Sequence, residues 1–305
     1  MNDVKREGVY GAPPGELVEP GPGAIQFSPL VPGAEILEDE VDRSLAGMTM
    51  LAPPGTVERR YALAQSLRAL TPDALLTVLA PKDKGGSRIG KELTAFGCAV
   101  TETSRRHHRI CTTRRPPDPV GISEALEQGS PRVLEATGLW SQPGVFSWDR
   151  IDPGSASLVK HMPQLAGRGA DLGCGIGYLS QAVLRSPGVT ALDLVDIDRR
   201  AVDMARRNVG DLRARFSWAD IKAGAPALEK LDFVVMNPPF HDGGIEDKAL
   251  GQTFVRRAAD LLRRGGACWL TANRHLPYEG VMGPLFQRVV PIAEEGGYKI
   301  YMAVK

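Results

Sequence analysis

From Gly169 to the end of the chain, short apolar runs alternate with segments whose apolar residues recur every three or four positions. The runs GADLGCG, VTALDLVDID, ARFSWAD, LDFVVMN and ACWLTAN read as strands, and YLSQAVLRS, RRAVDMARRNVG and KALGQTFVRRAADLLRR as helices between them. Strands that are apolar along their whole length, each followed by a helix, predict a doubly wound parallel sheet buried on both faces. Gly265 and Gly266 suit a left-handed cap on a helix ending at Leu262. The last stretch, RVVPIAEEGGYKIYMAVK, reads as two strands around Gly296 and Gly297 and closes the parallel sheet with an antiparallel hairpin.

The first half repeats the alternation on a smaller scale: MTMLAPPG, VERRYALAQSLRAL, ALLTVLAP and GSRIGKELTAFG predict a small α/β domain. Residues 1–33 are rich in Gly and Pro and read as a loose leader. Turn-rich chain around PPDPVG and GLWSQPGVFSWDRIDPGS marks the boundary, so that a first domain spans 34–135 and a second 136–305. Alternation in RRHHRICTTRR suggests one strand with a basic exposed face. Around it Lys82, Lys84, Arg88, Arg105, Arg106, Arg109, Arg114 and Arg115 outnumber the acids, which suits a phosphate-binding face or a solvated edge protected by charge.

Composition narrows this little. The 305 residues are 43% hydrophobic and 24% charged, an ordinary globular balance that argues against general disorder. No apolar run approaches the ~20 residues of a membrane helix, and no signal-peptide pattern opens the chain, which leads to the expectation of a cytoplasmic protein. Cys98, Cys111, Cys174 and Cys268 are scattered without a paired spacing, so reduced, buried thiols are expected, and neither a disulfide framework nor a metal site. A net charge of +1 decides nothing about nucleic acid, because local charge governs phosphate binding.

Ligands of a doubly wound sheet bind at the carboxyl ends of its strands, where DLGCGIG, VDID, WAD and NPPF all fall. Gly173, Gly175 and Gly177 form a strand-to-helix turn that lets a ligand approach the backbone. Asp196 ends the next strand, where an acid can accept from ribose hydroxyls. Asp198 reads instead as a helix N-cap. Further on, Asp220 can accept from an adenine amine while the Ala219 N–H donates to a ring nitrogen. Asp171, just before the glycine turn, would repel a pyrophosphate but can hold an ammonium group. Together these groups point to S-adenosylmethionine.

In VVMNPPFHDGG, Pro238 and Pro239 lack the N–H that a ladder needs and must form a stiff turn beyond the strand. With PGVFSWDRIDPGS, DLGCGIGYLS, NPPFHDG, ANRHLPY and GGYKIYMAVK in that order, most of the chain resembles the bacterial ribosomal RNA guanine-N2 methyltransferases of the RsmC/RlmG type. The resemblance implies a Rossmann-like α/β catalytic domain preceded by a smaller degenerate methyltransferase-like domain, with LAPPG where the catalytic turn would be and no asparagine in it. It further implies S-adenosylmethionine as methyl donor, the N2 amine of a guanine in ribosomal RNA (16S) as acceptor, and Asn237, Pro238, Pro239 and Phe240 as the catalytic turn. There the Asn237 side-chain oxygen and the Pro238 carbonyl accept from the amine while Phe240 stacks on the base. Ile197 joins Asp196 on the cofactor side, and Ser155, His241 and Arg274 stand on the substrate side, with His275 beside Arg274 for a phosphate. Arg105, Arg106 and Arg109 would hold RNA or the small ribosomal subunit. A monomer without metal is expected. Two other readings stay open: N-methylation of a protein glutamine or small molecule, and a non-catalytic S-adenosylmethionine-binding ribosome-assembly factor.

Overall fold

In LDFVVM every side chain must be covered, because successive residues point to opposite faces of a strand. The computed structural model, which describes residues 6–223, 228–239, 241–242, 245–246, 248–276 and 278–305, covers both faces. Val234 and Met236 pack with Val255, Ala258 and Ala259 in one core, and Phe233 and Val235 with Leu158, Val183, Leu192 and Ala205 in another.

The chain divides into two compact units, Met1–Ser130 and Pro131–Lys305. The division falls five residues ahead of the expected 135/136 boundary. The first unit contains β1 (Glu7–Tyr10), β2 (Ile25–Gln26), β3 (Leu45–Leu51), α1 (Thr56–Ala69), β4 (Leu70–Pro81), α2 (Ile89–Ala95), β5 (Val100–Arg105), β6 (His108–Arg114) and α3 (Ile122–Gly129). Its sheet runs β2-β1-β3-β4-β6-β5, parallel through β4 and antiparallel beyond. The loose leader is therefore corrected. Its strand β1 pairs with β3 from Glu7↔Gly47 to Tyr10↔Met50, and Phe27 is buried in the core. In RRHHRICTTRR the expected strand is β6, His108–Arg114, but it begins later than the stretch does: Arg105 ends β5, and Arg106 and His107, both at positive φ (46° and 61°), join the two strands as a hairpin.

The second unit begins with the short pair β7 (Arg132–Val133) and β8 (Trp140–Ser141) and the helix α4 (Pro153–His161). Its sheet then builds up through β9 (Gly167–Leu172), α5 (Tyr178–Leu184), β10 (Val189–Asp196), α6 (Arg199–Asn208), β11 (Ala214–Trp218) and β12 (Leu231–Met236). After the small pair β13 (His241–Asp242) and β14 (Ile245–Glu246) come α7 (Lys248–Leu261), β15 (Leu262–Asn273), α8 (Glu279–Met282), β16 (Arg288–Glu295) and β17 (Tyr298–Val304). The order is β11-β10-β9-β12-β15-β17-β16, parallel up to β15, with β17 antiparallel to both its neighbours. Gly296 and Gly297 make the expected turn at φ 59° and 86°. Gly265 is left-handed (φ 76°) but sits in an irregularity of β15, where its N–H donates to Lys305 O (2.7 Å); it does not cap α7.

The path β3–α1–β4–α2–β5–β6 of the first unit retraces β12–α7–β15–α8–β16–β17 of the second, including the last strand inserted between its two predecessors. Ala52-Pro53-Pro54 follows β3 as Asn237-Pro238-Pro239 follows β12. At the first of these turns a guanidinium occupies the backbone carbonyls. Fully buried Arg59 donates from Nη1 to Pro53 O (3.1 Å) and Pro54 O (2.8 Å), and through Nε and Nη2 to Glu92 (both 2.7 Å).

Candidate active site

Four strands of the second unit end side by side, and their last residues carry the polar groups. After β9 the chain turns with Gly173, Gly175 and Gly177 at φ 74°, 54° and 87°. That left-handed backbone is accessible to glycine at low cost. A Cβ on Gly177 would also meet Val209 Cγ2 at 2.9 Å, whereas one on Gly175 would meet no atom within 4 Å. The turn is thus fixed from below and open above.

Asp171 is fully buried. Ser180 Oγ donates to its Oδ2 (2.7 Å), while Oδ1 meets no partner among the described residues. A buried carboxylate oxygen without a donor costs free energy that a cationic ligand would recover. Asp196 is held from both sides, Oδ2 accepting from Gly175 N (2.8 Å) and Oδ1 from Asp198 N (2.9 Å), with a lone pair left on each oxygen. Asp198 is the expected N-cap, accepting from Arg200 N at 3.0 Å. Ile197 is exposed beside the site, with the Trp218 indole donating to its carbonyl (2.8 Å).

One expectation fails here. Ala219 N–H donates to Asp196 O at 2.9 Å, so it is taken up between neighbouring strands and is not free for a ring nitrogen. Asp220 Oδ1 already accepts from Lys222 N (2.8 Å), which leaves its other oxygen for an amine.

Burial pushes Asp171 up to about 7, against the opposing hydrogen bond from Ser180 and helped by the charge of Asp196. Burial likewise raises Asp196 to about 6, opposed by its backbone donors. Because both folded values lie above the ordinary 3.8, the stability these groups contribute is complete below that pH and is lost as pH rises through 6 and 7. The melting temperature of the ligand-free protein should therefore fall over that window, and Asp171→Asn should flatten the decline. A slope unchanged in the variant would remove Asp171 as its source.

At the end of β12, Asn237 Nδ2 donates to Asp152 Oδ2 (2.8 Å) and to Ser155 Oγ (3.0 Å). Both partners belong to the start of α4, where Asp152 is the N-cap and Pro153 the first helical residue. Ser155 thus meets Asn237 itself. Asp152 was not among the sequence-derived candidates, although Asp-Pro before a helical pattern is a start signal. Tyr298, also unforeseen, begins β17 against the same turn: a Cβ on Gly154 would meet its ring at 2.6 Å, and its hydroxyl is raised by burial and by Asp152. Pro238 is buried and Pro239 half-buried, while Phe240 and the side chain of His241 lie outside the described residues. Arg274 is exposed and pairs at the surface through its Nε with Glu294 Oε1 (2.6 Å), and His275 beside it is exposed too. Arg105, Arg106 and Arg109 belong to the other unit. Among the described residues no cluster of His, Cys, Asp and Glu could hold a metal, and no helix is long and apolar enough to cross a membrane.

A sheet of this order, closed by an antiparallel hairpin and carrying acids and a glycine turn at its carboxyl edge, is the Rossmann-like methyltransferase fold. The chain belongs to the family of the ribosomal RNA small subunit methyltransferase C proteins, with residues 136–302 matching the methyltransferase small domain. The protein of that name from Pseudomonas aeruginosa (strain LESB58) is 32% identical over 288 residues, 91% of this chain and 85% of the relative. That from Stutzerimonas stutzeri is 33% identical over 262 residues, 83% and 77% of the two chains. Among solved structures, the T. thermophilus 16S rRNA N2 methyltransferase in complex with AdoMet and guanosine superposes with a TM-score of 0.79 at 22% identity, over 100% of this chain and 89% of that one.

Proposed function

We propose that this methyltransferase transfers a methyl group from S-adenosylmethionine to the exocyclic N2 amine of a guanine in 16S ribosomal RNA, in the cytoplasm, as a monomer acting on the small subunit or its RNA. The observation that carries the reading is the Asn237-Pro238-Pro239 turn, which lies beside the glycine turn, where a Cβ on Gly173 would meet Pro239 Cδ at 4.0 Å, and whose asparagine directs its amide nitrogen onto Asp152 and Ser155 at the start of α4. When bound, S-adenosylmethionine supplies an electrophilic sulfonium methyl. Asp171 Oδ1 suits its ammonium group, Asp196 its ribose hydroxyls, and Gly175 leaves room for its backbone contact. A guanine amine is a poor nucleophile because its lone pair is delocalised into the ring. Asn237 Oδ1 and Pro238 O, accepting its two protons, favour a pyramidal nitrogen in line for attack. The methyl would pass to nitrogen as its bond to sulfur breaks, the electron pair staying on a neutral thioether, and one amine proton would then leave to solvent, so the work of these residues is positioning. Mass spectrometry of nucleosides from 16S RNA of cells with and without the gene tests the reading. One N2-methylguanosine should disappear with the gene, and an unchanged guanosine profile would overturn it.

The first unit holds the RNA. Its support is a basic group at the carboxyl edge of that unit's sheet. There the hairpin tip Arg105–Arg106–His107 and Lys82 are exposed and tied together by Lys82 N donating to His107 O (2.9 Å), with Arg88 nearby on Thr56 (3.3 Å). Arg106 with Glu16 (3.2 Å) and Arg114 with Asp73 are open surface pairs, whereas Arg109 is half-buried on Glu102 (2.9 Å) and Arg115 is buried on backbone carbonyls, so the last two contribute less than their charge suggests. Changing Lys82, Arg105 and Arg106 to glutamate should weaken binding of a 16S RNA fragment and flatten its salt dependence, since each lost phosphate contact removes roughly 0.7 to 0.9 from the log–log slope. Filter binding at several salt concentrations checks this; parallel lines of equal affinity would assign the RNA to the second unit.

A further inference from the structure

The amide of Asn237 has two N–H groups, and both are engaged by a single turn of α4. Asp152 Oδ2, which already accepts the Ser155 N–H as helix cap (2.7 Å), accepts one; Ser155 Oγ accepts the other. A carboxylate without a proton can only accept, so the nitrogen end of the amide faces Asp152 and the oxygen end faces away. Among the described residues no donor meets that oxygen.

We infer that Asp152 and Ser155 are positioning residues for methyl transfer: they clamp the Asn237 amide so that Oδ1, and not Nδ2, meets the target amine. The inference rests on the function proposed above. An unclamped asparagine has two orientations of nearly equal shape. Turned over, it would set N–H against N–H, repelling the amine that it should draw into line. The clamp therefore selects a hydrogen-bond donor as substrate and fixes the geometry before the substrate arrives, which is where positioning gains rate. Helix α4 is suited to this task because it is anchored at its other end as well. Glu295, at the end of β16, accepts from Ser157 Oγ (3.0 Å), Lys160 Nζ (2.8 Å) and His161 Nε2 (3.2 Å), tying the helix to the closing hairpin.

The test uses Asp152→Ser, whose hydroxyl still caps a helix but is too short to reach Asn237 as well. Its kcat on 16S RNA should fall on the order of 10- to 100-fold with KM for RNA little changed. Calorimetric affinity for S-adenosylmethionine and the melting temperature should stay near wild type. Asp152→Asn, whose carbonyl can accept from both Ser155 N–H and Asn237, should recover most of the turnover. In an Asn237→Ala background, Asp152→Ser should cost nothing further, because the two residues act as one unit. Full turnover in Asp152→Ser, or an equal loss in both backgrounds, overturns the clamp; the latter result would make Asp152 a helix cap only. Should Asp152→Ser fail to fold, Ser155→Ala removes one acceptor without touching the cap, and the same comparison of backgrounds decides. Wild-type protein that does not methylate 16S RNA would instead strike at the proposed function, leaving the two failures distinct.

Discussion

Asn237→Ala should still bind S-adenosylmethionine but lose methyl transfer by on the order of 10²-fold or more, as when a reacting group is no longer held in line. Its side chain contacts Asp152 and Ser155 at the end of β12, apart from the carboxylate of Asp196, which is held by the glycine turn after β9. The two sites should therefore separate by variant. Asp196→Ala removes an acceptor oriented by two backbone donors and should weaken cofactor binding by ~1 to 3 kcal/mol, the usual cost of an unmade buried hydrogen bond. Isothermal titration and single-turnover methylation of 16S RNA, run on both variants, read the split. Turnover that survives in Asn237→Ala, or cofactor affinity that collapses with it, would remove the acceptor role from this side chain.

Arg59→Ala should destabilise the first unit by about 3–5 kcal/mol, the cost of breaking a buried ion pair by removing one partner. Glu92, whose side chain is only 11% exposed, would lose both of its guanidinium contacts, and the carbonyls of Pro53 and Pro54 would lose their donor. The two units can be followed separately. Trp140, Trp148, Trp218 and Trp269, the four tryptophans of the chain, all lie in Pro131–Lys305, so their fluorescence reports on the second unit while far-ultraviolet circular dichroism reports on both. The variant should show an earlier dichroism transition at lower denaturant with the fluorescence transition in place. Superimposable dichroism curves would mean that the pair contributes nothing measurable.

How much of this was legible in the sequence depended on how local the cause was. Pro238 and Pro239 stop β12 by their own chemistry, Gly175 and Gly177 announce a turn that other residues resist, and the continuous apolar runs require a sheet covered on both faces. The leader was misread because composition weighs the glycines and prolines of the whole segment, whereas β1 needs only four residues and the free edge of β3. The Ala219 donor was misread for another reason: whether that N–H is free depends on how the chain after β11 lies against the end of β10. Asp152 could be seen as a helix start but not as a partner of Asn237, 85 residues away, because no periodicity links a cap to the end of a distant strand. The basic hairpin misled in the same way, since the strand pairing that sets Glu102 beside Arg109 is invisible in a count of charges.

The guanidinium of Arg59 also makes the two proline turns chemically unlike. In the second unit no donor among the described residues meets the Pro238 carbonyl; in the first, the chain supplies its own nitrogen to the matching position. Asparagine in place of Ala52 would not by itself make this turn like the other, because the Pro53 and Pro54 carbonyls would remain engaged, and removing Arg59 first would cost the unit its stability. The turn of the first unit is thus self-occupied: its carbonyls are saturated from within, and no single substitution at Ala52 empties it.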